Sequence, residues 1–597
     1  MLRLVRYLKP YLLPLLVMLV LLFGQTTANL ALPDYLAKIV NDGIVGRDTS
    51  VVYRTGLRML LVALLGGVCM VGVGYLASRI ATGATRDVRD DVFATVEDFS
   101  LLEFNRFSTA SLITRCTNDM QQIQMVLVLL LRMGLMAPYM GIGAVIKAYG
   151  LAPSMTWIMA VAIGILFIVI ATLFALTIPR FTRLQRFVDR LNLVTRESLT
   201  GLRVIRAFNR EGEEKEKFAR ANRTLTDANL VVNRLTAVMQ PVMLLILNLT
   251  SITVIWVGSH RIDAGTLQIG DMLAFMQYAM QAIFAFLMIS MIFIMVPRAA
   301  VSARRVVEVL DTEPSIRDPE RAQEVPDRGG IVEFRDVSFA YPGAEEPVLR
   351  NVSFVALPGQ TTAFVGPTGS GKSTLIGLIE RFYDATAGQV LVDGVDVREM
   401  RQEDLRAKIG YVSQRAVLFS GTIESNVQYG NEVATMAEIE RAAETAQASE
   451  FVERLDKRYG HAIAQGGTNV SGGQKQRLAI ARAIARRPEI YVFDDSFSAL
   501  DFRTDAMLRA ALGRETENRT VLIVAQRIST IMQAEKIVVL DNGQVVGQGT
   551  HGELLQTCEV YREIAASQLS EEELATAGVE GNGVVKPAAA VGGGAGE

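Results

Sequence analysis

The sequence predicts two folds in series: an all-α membrane domain of six transmembrane helices with long cytosolic extensions, and an α/β domain on a largely parallel sheet. Three observations carry that reading. Six apolar stretches of roughly 20 residues, the length that crosses a bilayer, fill the first half of the chain. Two charged, amphipathic stretches separate the second from the third and the fourth from the fifth. After Gly330, short β-branched runs alternate with helical stretches, the rhythm of a parallel α/β sheet. Bulk properties agree. At 597 residues the chain exceeds a single core, and 50% of it is apolar. A net charge of −2 provides no global field for nucleic acid, which is not an expected partner. Cys69, Cys116 and Cys558 lie far apart, with no spacing for a metal or a disulfide framework.

The membrane domain takes residues 1–312, with spans near 11–32, 57–78, 125–147, 153–176, 238–258 and 272–296. Lipid offers no hydrogen bonds, so each span must be a helix. A cleaved signal peptide is the competing reading of the first run. The length of that run and the lack of a clean small-residue cleavage site oppose it. Arg3, Arg6 and Lys9 place the N-terminus in the cytosol. Arg79, Arg86 and Arg89, then Arg180, Arg183 and Arg186, follow the second and fourth spans on the same side.

The stretches 79–124 and 177–237 read as paired helical limbs with short connections near Phe104–Arg115 and Thr200–Arg210. A limb of about 25 residues projects about 37 Å. Two solvated loops are the alternative, opposed by the rarity of long structureless connections. Residues 313–329, polar and proline-bearing, read as a linker, and 330–570 as the α/β domain. The Glu-, Ala- and Gly-rich 571–597 reads as a disordered tail.

Gly366, Pro367, Thr368, Gly369, Ser370, Gly371, Lys372, Ser373 and Thr374 fit G-x-x-x-x-G-K-[ST] after the strand TTAFV. Glycines let backbone N–H groups close around phosphate oxygens, and the next helix aims its positive end at them. Lys372 is placed to reach the β- and γ-phosphates of ATP, and Ser373 to meet Mg2+. Asp494, ending the strand IYVF, supplies a carboxylate for the same magnesium; a helix or turn cap is its plainer reading. In Asn469-Val-Ser-Gly-Gly-Gln-Lys-Gln-Arg-Leu478, a plain N-cap explains Ser471 but not the two glycines that follow.

Together these two motifs resemble those of ABC-transporter ATPases, and the resemblance runs from the first span to about residue 567. Six spans with long extensions fused to one such domain resemble a half-size ABC exporter of the bacterial heterodimeric multidrug type. The resemblance implies that Tyr341 stacks on adenine, although a strand tyrosine alone more often packs. It implies that Gln414 meets magnesium alongside Ser373 and Asp494, and that Ser498–Asp501 forms the loop crossing between two ATPase domains. Ser471, Gly472, Gly473 and Gln474 are implied to act on ATP held by a partner subunit.

Two positions depart from the family. Where a glutamate and a histidine serve hydrolysis, this chain has Asp495 and Gln526. Aspartate reaches about 1.5 Å less far, and a misplacement of about 1 Å costs on the order of 10²-fold. Glutamine cannot carry a proton as histidine does. None of His260, His461 and His551 sits in a context to replace it. Val470 and Gln465-Gly-Gly depart more mildly.

The expected function is ATP-driven export of drugs, lipids or peptides across the cytoplasmic membrane, as one half of a heterodimer. Its partner is a second half-transporter carrying the missing glutamate and histidine. Alternatives are an importer on the same fold, or a regulatory or ATP-gated subunit that transports nothing. Cargo is little specified: the methionines crowding the last two spans suit apolar ligands, yet are ordinary filler. Gln277 and Gln281 could line a cavity. Arg132, inside the third span, reads equally as a cargo contact or a helix-interface residue.

Overall fold

The computed structural model describes residues 2–569; the proposed tail at 571–597 lies outside them. Contacts divide the chain into two units. One comprises Met1–Asp98 and Phe107–Glu313; the other comprises Phe99–Arg106 and the chain from Pro314 onward.

The first unit has six helices long and apolar enough to cross a membrane: Arg3–Val45, Thr49–Glu97, Thr109–Leu151, Pro153–Thr200, Glu211–Asp263 and Ile269–Leu310. Each contains one expected span and continues well past it. Asp48 caps the second helix, its Oδ1 accepting from the backbone N–H of Ser50 at 2.9 Å and of Val51 at 3.3 Å. The limbs are continuous with the spans, so no loop intervenes between bilayer and extension. The connection in the first extension begins before the expected Phe104–Arg115 and turns within it. The second helix ends at Glu97, a short helix occupies Leu101–Phe107, and the chain turns at Ser108. The second connection is the short helix Leu202–Ala207, within the expected Thr200–Arg210. It belongs to the membrane unit of this chain.

Polar side chains tie the first span to the third and sixth. The Tyr278 hydroxyl donates to Asp34 at 2.6 Å, and Lys147 donates to the other oxygen of that carboxylate at 2.7 Å. Gln281 donates to the carbonyl of Asn29 at 3.3 Å, so it serves a helix contact. Cys69 is buried, in keeping with packing.

Among the described residues the second unit holds twelve strands: β1 (Val332–Phe339), β2 (Leu349–Ala356), β3 (Thr361–Val365), β4 (Ala387–Val392), β5 (Val395–Asp396), β6 (Ile409–Val412), β7 (Gly421–Thr422), β8 (Ala462–Ile463), β9 (Ile490–Asp494), β10 (Thr520–Val524), β11 (Lys536–Asp541) and β12 (Gln544–Gly549). The central six-stranded sheet runs β12-β11-β3-β10-β9-β6, parallel except for the β11–β12 hairpin. A four-stranded antiparallel sheet, β2-β1-β4-β5, packs its apolar residues into a core shared with the helix after β3. The buried runs TTAFV, IYVFD and TVLIV make adjacent central strands because both of their faces are covered. Their C-terminal ends therefore open at one edge, where ligands of parallel α/β sheets bind.

The same unit includes the start of the first extension's short helix. Glu103 accepts from the Ser100 hydroxyl at 2.6 Å and from the backbone N–H of Ser315 at 3.3 Å.

Candidate functional site

The loop after β3 is shaped by glycines at two points. Gly366 has φ +157°, and a Cβ there would stand 2.0 Å from the carbonyl oxygen of Leu540. Gly371 has φ +96°, and a Cβ there would stand 2.7 Å from Leu349. The helix Lys372–Ile379 starts at once, aiming its N-terminus into the loop. Lys372 Nζ lies inside the loop, donating to the carbonyls of Gly366 at 2.9 Å and Pro367 at 2.8 Å, and to Ser370 Oγ at 3.3 Å. Burial lowers the Lys372 pKa, while the charges of Asp495 and Asp494 oppose that.

At the end of β9, Ser373 Oγ donates to Asp494 Oδ1 at 3.1 Å. Burial pushes the Asp494 carboxyl up, and Asp495 pushes it the same way; the Ser373 bond and Lys372 oppose. Asp495 follows with φ +46°, a left-handed conformation uncommon outside glycine. Its Oδ2 accepts from Gln526 Nε2 at 2.9 Å and from Gln414 Nε2 at 3.3 Å. Burial raises this carboxyl as well, opposed first by the Gln414 bond. The structure thus gathers Lys372, Ser373, Gln414, Asp494, Asp495 and Gln526 at the C-terminal edge of the sheet.

Tyr341 stands beside the same loop. Its hydroxyl lies 3.0 Å from Thr374 Oγ1, and its ring meets Phe339 and Tyr383 edge-on at 4.9 and 5.3 Å. It is packed on one side and open on the other, its relative exposure 36%.

The second glycine motif forms an exposed helix N-terminus. Ser471 caps Gly472–Ala485: its Oγ accepts from Gln474 N at 3.3 Å, and Gln474 Oε1 accepts from Ser471 N at 2.9 Å. A Cβ on Gly472 would meet nothing within 4 Å, so its backbone is open to an incoming group. Ser498 Oγ donates to the carbonyl of Asp495 at 3.0 Å, and Asp501 caps the helix Phe502–Glu515. Among the described residues, no group of three or more His, Cys, Asp or Glu is placed to hold a metal. A magnesium at this site fits instead as the companion of nucleotide phosphates, beside one carboxylate, one hydroxyl and one amide.

Two features escaped the sequence. The paired amides on Asp495 join residues 81 and 31 positions away, which no local pattern signals. Glu380, at the end of the P-loop helix, is buried at 5% exposure, and its Oε1 has no hydrogen-bond partner. An acidic residue closing the apolar run LIGLI was the only available hint.

A six-span helical unit with helical extensions, followed by a P-loop α/β unit with an exposed, capped glycine motif, defines an ATP-driven membrane transporter. Comparison with known proteins agrees. Residues 15–286 match the ABC transporter transmembrane region and 349–498 match the ABC transporter domain. An uncharacterised ABC transporter ATP-binding protein of Mycobacterium tuberculosis is 44% identical over 570 residues, covering 94% of this chain and 97% of its own. An ATP-dependent lipid A-core flippase of Syntrophus aciditrophicus is 31% identical, covering 93% of this chain and 92% of its own. A bacterial Atm1-family ABC exporter solved with ATP bound superposes with a TM-score of 0.78 at 27% identity, covering 94% of this chain and 98% of its own. The chain belongs to the ABC transporter family, as a multi-pass half-size exporter with its own ABC ATPase domain.

Proposed function

We propose that this chain is the hydrolysis-impaired half of a heterodimeric exporter, which moves hydrophobic or amphipathic compounds out across the cytoplasmic membrane, its ATPase domain in the cytosol. Lys372 holds the β- and γ-phosphates of ATP, the glycine loop holds the phosphate oxygens, and Tyr341 stacks on adenine. Ser373, Asp494 and Gln414 would hold magnesium, which would supply charge neutralisation at the phosphates. Asp495 carries the reading. Its carboxylate is the shorter of the two acids, and two amides already occupy one of its oxygens. A general base must aim a lone pair at water, and the amides of Gln414 and Gln526 fix the orientation of this shorter carboxylate through Oδ2. Gln526 in turn orients through its amide but transfers no proton.

Ser471 to Gln474 present intact donors and an open helix end, as completion of a partner's site requires. The partner carries a glutamate and a histidine at the positions of Asp495 and Gln526. Cargo of lipid character is supported by the relative named as a lipid A-core flippase. Turnover of the purified chain alone, set against the assembled pair, tests the proposal. Little ATPase from the chain alone is expected; turnover equal to the pair's contradicts the asymmetry.

A further inference from the structure

Charge inside the six spans is sparse and one-sided. The six stretches 11–32, 57–78, 125–147, 153–176, 238–258 and 272–296 contain no aspartate or glutamate. Their cations are Arg58 and Lys147, at stretch ends, and Arg132, well inside the third. Lys147 is neutralised by Asp34 at 2.7 Å. Arg132 is exposed, and among the described residues no ion pair or side-chain hydrogen bond reaches it.

The backbone marks the same place. Leu130–Gly134 is a π-helical segment, an interruption frequent at functional sites. Within the span, Met125, Leu135, Ile142 and Ile146 are exposed apolar side chains on either side of Arg132. Toward Ile142 the third span adjoins the first. There the rings of Phe23 and Tyr139 lie 5.0 Å apart, and Thr27 Oγ1 is 3.1 Å from the Tyr139 hydroxyl. Exposure removes the helix-interface reading of Arg132 within this chain. A guanidinium facing hydrocarbon alone is costly, so Arg132 requires water or an anion.

We propose that Arg132 selects cargo by charge, and that the cargo class is an amphipathic anion. An apolar tail lies along the exposed apolar side chains, and a phosphate or carboxylate head meets the guanidinium. The planar fork of donors matches either head bidentately. No carboxylate in the spans competes for Arg132 or attracts a cationic amphipath. The inference rests on the exporter reading above and sharpens its cargo.

The assembled transporter in phosphatidylcholine nanodiscs provides the test, with ATP turnover followed against three probes of one chain length. Dodecyl phosphate is anionic, dodecyl maltoside neutral and dodecyltrimethylammonium cationic. Dodecyl phosphate is expected to stimulate at the lowest concentration. Arg132→Gln should raise its half-stimulating concentration about tenfold, the size of one lost charged hydrogen bond. The neutral probe should move by less than about twofold, and Arg132→Lys should fall between. An unchanged response to the phosphate probe, or equal shifts for all three, overturns charge selection alone. No response to any probe overturns the amphipathic-cargo reading and this inference with it.

Discussion

Asp495 shows how a residue can look functional in sequence and be restrained in structure. Its left-handed backbone and two amide donors fix the carboxylate in place. Restoring the longer acid and the imidazole together, Asp495→Glu with Gln526→His, is expected to raise turnover of the assembled pair at least about tenfold. Single-turnover ATP cleavage reads this, and an unchanged rate would place the limit elsewhere. Glu380 offers a second test at this scale. Burial, with the nearby charge of Asp494, raises its pKa from the usual 4.5 to about 8, against the opposing pull of Arg406 and Arg486. The folded state therefore prefers the neutral acid. Its stabilisation is complete below 4.5 and is lost as pH rises through about 8. Calorimetry of the intact protein should show the ATPase-domain transition falling between about pH 5 and about pH 8 and levelling above that. Glu380→Gln should flatten the fall; an unchanged slope would mean the carboxyl is already ionised.

At the scale of elements, the P-loop depends on backbone that only glycine adopts. Gly371→Ala forces a side chain into Leu349 at φ +96°. It is expected to cost about 1–3 kcal/mol and to weaken ATP binding, read by nucleotide titration. The Ser471 cap makes a different demand. Ser471→Ala removes a cap worth about 1 kcal/mol and should cut turnover of the pair, while ATP stays bound at Lys372. Loss of both together would mean that the motif serves this chain's own nucleotide.

What the sequence exposes at this scale follows from the range of each signal. Spans were legible because apolar length is a one-dimensional property, and the P-loop because its residues are contiguous. The first connection begins at Asp98, several residues before the expected range, and its turn at Ser108 lies inside that range. Its turn rests on Ser108 at φ +59°, whose hydroxyl accepts from Ser111 N, and on Ser100 bonding Glu103; helical periodicity registers neither. Asp495 and its two amides come from three separate strand ends, those of β9, β6 and β10, so only the folded sheet brings them together.

For the whole molecule, each unit supplies a different half of the work. The membrane unit provides long helices that continue from span into extension. The other unit includes Phe99–Arg106, so a piece of the first extension is built into the ATPase fold through Glu103 and Ser315. Closure of two ATPase domains on ATP would then pull directly on helices that enter the membrane, as alternating access requires. Glu103→Ala should leave ATP binding intact but lower transport per ATP hydrolysed, measured as flux against phosphate release in proteoliposomes. Equal coupling in the variant would show that the contact carries no force.

Asymmetry between the two nucleotide sites is tested most directly on the assembled transporter, trapped during turnover and resolved at both pockets. Intact triphosphate against Lys372, with cleaved product in the partner's pocket, is the expected result. Diphosphate lodged against Lys372, formed as fast as in the opposite site, would contradict it.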